Sequence, residues 1–126
     1  MSALVIFAVN VKAVATFYEA VFGLSPAPDP GDSKKDLRLR NETDEILIHS
    51  VPSRIAITIS LMSPPQLRDE CAMKPVFDVA SLTNSLAQVP LNGGVITDRT
   101  FTLNGVTRHD VADPEGNIVQ IRSANL

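Results

Sequence analysis

Five side chains hold most of the chemical potential of this sequence: His49, Lys74, Arg108, His109 and Gln120. His49 closes an alternating segment, where it serves either as a base or hydrogen-bond donor near neutral pH or as a strand-end group bonded to a carbonyl. Lys74 opens an apolar segment; its ammonium either holds an anionic group or reaches solvent along its apolar stem. Gln120 lies between Ile118 and Arg122 on one strand face, so its amide meets a ligand or bonds the facing strand. Arg108, like Arg68, suits bidentate pairing with a carboxylate, the alternative being a solvated loop charge. His109-Asp110 suggests a metal pair with His49 as third ligand. Neighbours on a regular strand point to opposite faces, however, so only one of the two enters a shared cavity. No nucleophile–base–orienter triad and no phosphate-cradling glycine loop accompany these residues.

The elements that must position them fall into a repeated order. Ala3 to Val9 is a nearly unbroken apolar run, expected as a strand buried on both faces. Asn10 reads as a helix N-cap and Gly23 as the residue that ends the helix. Residues 25 to 35, rich in Pro, Gly, Asp and Ser, read as a loop. Asp36 to Asn41 and Glu45 to His49 flank a turn and form a hairpin. Arg54 to Leu61 sets Ile55, Ile57, Ile59 and Leu61 on one face, a period-two pattern expected as a further strand or a linker. The pattern then restarts: Pro75 to Val79, a helix capped by Ser81 and closed at Gly93-Gly94, then strands at Val95–Asp98, Gly105–Val111 and Asn117–Arg122. A duplicated βαβββ unit accounts for this order, with one module at about residues 1–62, a linker at about 63–73 and a second module at about 74–126.

Composition bounds the function. The chain has 126 residues, 44% hydrophobic and 20% charged, with net charge -3; this is an ordinary globular composition for one domain. Scattered basic residues and a negative balance argue against nucleic acid, which requires a concentrated positive face. No apolar run reaches the roughly 20 residues of a membrane helix. The start, Met1-Ser2-Ala3-Leu4-Val5, lacks the pattern of a secretory signal, and the lone Cys71 allows no internal disulfide; both lead to an expectation of a cytoplasmic protein.

Three segments carry a family resemblance: Phe17-Tyr18 through Phe22-Gly23-Leu24, the Val79 to Gly94 helix, and Asp113-Pro114-Glu115-Gly116-Asn117. In order and spacing the chain resembles the vicinal oxygen chelate superfamily of glyoxalase I, extradiol dioxygenases, fosfomycin-resistance enzymes and bleomycin-resistance proteins. The resemblance implies an α+β fold in which two βαβββ modules form a cup-shaped sheet with helices outside, often completed by a homodimer. It implies metal ligands near Leu4, Lys74 and Gln120, with a fourth on 45–49 or 54–60. Leu4 has no donor atom, Lys74 repels cations and Gln120 brings no charge, so the usual metal site is expected to be absent and no cofactor is assigned. The resulting expectation is a small-molecule-binding protein or metal-independent enzyme whose ligand, an anion among the options, meets His49, Lys74, Gln120, Arg108 and His109. One alternative is a metal-dependent lyase, isomerase or dioxygenase with ligands relocated to His49, His109 and a carboxylate. Another is a non-enzymatic dimeric module.

Overall fold

The computed structural model describes residues 3–125. Its elements are β1 (Ala3–Ala8), α1 (Val11–Phe22), β2 (Ser25–Pro26), β3 (Leu37–Arg40), β4 (Glu45–Ser50), α2 (Ser53–Ala56), β5 (Val76–Asp78), α3 (Leu82–Leu91), β6 (Val95–Leu103), β7 (Val106–Ala112) and β8 (Ile118–Ser123). They form two four-stranded sheets, ordered β1-β4-β3-β2 and β5-β8-β7-β6. The two orders match strand for strand. In each sheet the first strand runs parallel to the last, and the remaining pairs are antiparallel. The duplicated α+β unit read from the sequence is therefore the architecture of the molecule.

Helix α1 begins where Asn10 accepts a bond from Ala13 N and ends at Gly23, whose φ of 68° lies in the left-handed region that glycine enters without a Cβ penalty. Its Val14, Phe17, Tyr18, Val21 and Phe22 are buried against Leu39, Ile46 and Ile48 of the first sheet and Phe77, Val111, Val119 and Ile121 of the second. Burial around most of its circumference explains why its polar stripe is so narrow. Helix α3 packs beside α1 and covers part of the second sheet. Each sheet thus turns one face to the helices and leaves the other open.

Four segments differ from their sequence reading, one of them β6, which runs on past Asp98 to Leu103. Residues 54–61 do not form a strand: Ser53–Ala56 is one helical turn, and Ile57 is 86% exposed. The alternation is present, but this segment pairs with no strand among the described residues, and period two without a partner does not make a sheet. The missing strand of the first module is β2, whose two residues pair with Arg40 and Leu39. Strand β1 is also not buried on both faces. Leu4 and Ile6 pack toward the core, whereas Val5 and Phe7 stand on the open face, 52% and 63% exposed.

Candidate functional site

The free edges of β1 and β5 border a cleft of about 770 Å³, lined as well by residues 71–75, which lead into β5. Val5 and Phe7 of β1 and Val76 of β5 supply apolar walls, and Tyr18 and Asn117 reach it from the core side. Lys74 projects here because it immediately precedes β5, and Glu45, first residue of β4, lies against the β1 side. An apolar recess with a few fixed polar groups is the usual form of a small-molecule site.

Strand register decides which polar groups lie beside it. Val76 pairs with Gln120, and Gln120 with Asp110, so all three project from the open face of the second sheet. Asp110, only 3% exposed, accepts bonds from Lys74 Nζ at 2.6 Å and Gln120 Nε2 at 3.1 Å. A nearly buried carboxylate with two donors is satisfied, and Lys74 keeps two further N–H groups for other acceptors. One row along, Asp78, Arg122 and Arg108 share the same face. Arg122 grips Asp78 with Nε at 2.6 Å and Nη2 at 2.8 Å, and those hydrogen bonds hold the Asp78 carboxyl below its ordinary range.

His49 stands on the open face of the first sheet, beside its register partner Phe7. Asp36 takes the imidazole Nδ1 at 2.7 Å and the Ser50 N–H at 2.9 Å, which orients the ring. The same face carries Arg38 and Arg40. Arg38 binds Asp32 through two nitrogens at 2.9 Å, and that hydrogen bonding holds the Asp32 carboxyl down to about 2. Arg40 binds Asp29 at 3.1 Å, and both guanidiniums neighbour Glu45.

Of the five candidates, Lys74, Gln120 and Arg108 share one sheet face, with Lys74 and Gln120 joined through Asp110. His49 lies on the other sheet. His109 is set apart: it projects with Ile121 and Val111 from the opposite side of β7, and its Nε2 meets Thr97 O at 2.6 Å. Alternation allowed one of His109 and Asp110 to face the open side of the second sheet, and that one is Asp110. Asp36, Glu45 and the β1 face were missed; only knowledge of the register to Gln120 and His49 could have found them. The late strand of the first module is β4, since it pairs parallel with β1 as β8 does with β5.

The donor set does not fit the metal site that the family resemblance implies. Glu45 is engaged by arginines, Asp110 by Lys74, and Leu4 packs toward the core. Among the described residues no group of three His, Cys, Asp or Glu side chains is placed to hold a metal ion.

The turn below the cleft is locked. Asp113, fully buried, accepts Tyr18 Oη–H at 2.9 Å, Glu115 N at 2.9 Å, and both the backbone and side-chain nitrogens of Asn117. Burial raises the Asp113 carboxyl above its ordinary value against the pull of those donors. Burial, and then the Asp113 charge, lift the Tyr18 phenol well above its own. Glu115 reaches across to the β1–α1 junction, accepting Val9 N at 3.0 Å and Asn10 N at 2.7 Å.

No protein-family model and no curated protein matches the chain. Solved structures do. A glyoxalase/bleomycin resistance protein/dioxygenase family enzyme from Burkholderia phytofirmans matches with a TM-score of 0.71 over 98% of this chain and 97% of its own, at 18% identity. A glyoxalase/bleomycin resistance protein from Albidiferax ferrireducens matches at 0.68 over 98% and 97%, with 16% identity. The fosfomycin resistance protein FosX from Mesorhizobium loti matches at 0.67 over 100% and 92%, with 8% identity. At such identities the likeness is one of fold, the fold shared by glyoxalase/bleomycin resistance proteins and FosX.

Proposed function

We propose that the chain is a glyoxalase-like small-molecule-binding protein or enzyme that works without a metal, taking its ligand in the cleft between β1 and β5. The observation that carries this reading is Lys74, which lines a largely apolar cleft and is held there by Asp110, itself bonded to Gln120. Lys74 is held by Asp110 yet has donors to spare, so it orients a ligand acceptor while the walls of Val5, Phe7 and Val76 bury the ligand body. His49, positioned by Asp36 and in edge contact with Phe7, is a proton-handling group beside these walls. The exposed apolar face of β1 further supports a homodimer in which a second copy covers it.

The neutral apolar dye Nile red tests the cleft by fluorescence titration of protein purified without chelators. Saturable binding is expected, unchanged by EDTA and lost in Val76→Trp, which fills the recess. Elemental analysis is expected to find no stoichiometric metal. Binding that survives Val76→Trp overturns the location, and a stoichiometric metal or EDTA-sensitive binding overturns the metal-free mode.

A further inference from the structure

The open face of the second sheet carries Lys74, Arg108 and Arg122, with Arg99 of β6 close to Asp110, and the carboxylates Asp78 and Asp110. Lys74 is paired with Asp110, Arg99 with Asp69, and Arg122 bidentately with Asp78. Arg108 feels the Asp78 charge but forms no ion pair of its own. Its guanidinium lies 5.6 Å from the centre of the Phe101 ring, its register partner on β6, and makes no side-chain hydrogen bond among the described residues. Its Nη1 is moreover the one enclosed side-chain nitrogen or oxygen among the described residues that has no hydrogen-bond partner. An enclosed, charged donor without an acceptor is costly, and native proteins seldom leave one unless strain, an ordered water, an ion or a ligand accounts for it. The aromatic ring beneath fixes the guanidinium plane but satisfies none of its N–H groups.

We infer that Arg108 is an oxyanion subsite, and that the ligand of the cleft is an elongated molecule with a single carboxylate-type head held on Arg108 and an apolar body reaching β5. This deepens the reading above and rests on it. One head group follows from charge: with Lys74, Arg99 and Arg122 paired to Asp110, Asp69 and Asp78, Arg108 is the cation without an ion pair. Elongation follows from topology. Arg108 on β7 and the cleft wall on β5 are separated by β8, so head and body lie about 10 Å apart at ordinary strand spacing. A guanidinium matches the fork of a carboxylate, and its position over Phe101 leaves one edge of the ligand against an apolar ring.

Octanoate, octanamide, acetate and octyl phosphate, titrated calorimetrically into the intact protein, test the inference. Octanoate is expected to bind at least tenfold more tightly than octanamide, and acetate not measurably, because acetate cannot reach the cleft. Arg108→Gln is expected to weaken octanoate roughly tenfold to a hundredfold while leaving octanamide and Nile red unchanged. Retained dye binding shows the variant to be folded. Equal affinity for octanoate and octanamide, or octanoate binding that ignores Arg108→Gln, overturns the subsite while the cleft reading stands. Octyl phosphate binding tighter than octanoate overturns the carboxylate head in favour of a phosphate. If Nile red fails to bind the unaltered protein, it is the cleft itself that is wrong.

Discussion

At the scale of single residues, the chemistry turns on which neighbour of a pair faces which way. His109 and Asp110 are both plausible ligands by type, and alternation alone states that only one of them can be used. The choice fell to Asp110 because it pairs with Gln120, information held in another strand 10 residues away. Lys74 and Gln120 were legible as inward-facing polar groups, but not that they share one carboxylate. Tyr18 was legible as a core ring with its hydroxyl at a polar edge, and that edge is Asp113. It is the chain's single tyrosine, so its ionisation can be followed directly by phenolate absorbance. Burial and the Asp113 charge raise its folded pKa above the ordinary 10.0. Stability from the protonated phenol is therefore complete below that value and drains away as pH rises through the higher folded one. Phenolate absorbance should appear only well above pH 10 and together with loss of the circular dichroism signal. A native-state tyrosine titrating in its ordinary range would contradict the buried pair.

At the scale of elements, the helices and long strands were legible because caps and periodicity agree with their burial. Asn10 and Gly23 bound α1, and Ser81 caps α3. Residues 54–61 misled because alternation reports a pattern and not a partner. Strand β2 escaped notice for the opposite reason: two residues have no period, and only Arg40 and Leu39 opposite make them a strand. The turn 113–117 matters more than its size suggests. It holds β1 and α1 through Glu115, and it holds the linker through Arg68, whose N bonds Gly116 O at 2.9 Å and whose Nε bonds Glu115 O at 3.0 Å. Gly116, with φ of 87°, lies so close to Gln66 O that a side chain there would collide with it. Glu115→Ala should cost about 2–4 kcal/mol by stranding two backbone N–H groups, measured by urea unfolding. Glu115→Gln, which keeps one acceptor oxygen, should cost less. Equal and negligible losses for both would show that the turn does not clamp the first module.

At the scale of the whole molecule, the duplicated order was legible from sequence because the second half restarts the pattern of the first. How the halves meet was not, since both open faces read as ordinary strands. The dimer proposed above predicts a light-scattering mass of twice the 13.6 kDa chain, with Phe7→Glu shifting it toward the single-chain value. A single-chain mass for the unaltered protein at high concentration would remove that part of the proposal. The bond from Glu115 to Val9 spans 106 positions in sequence, and β1 waits for β4 before it has any neighbour in its sheet. Synthesis therefore delivers the first strand long before anything can hold its junction with α1. Such non-local closure slows folding, and until residue 115 has left the ribosome the nascent first half must survive with its seam unfastened.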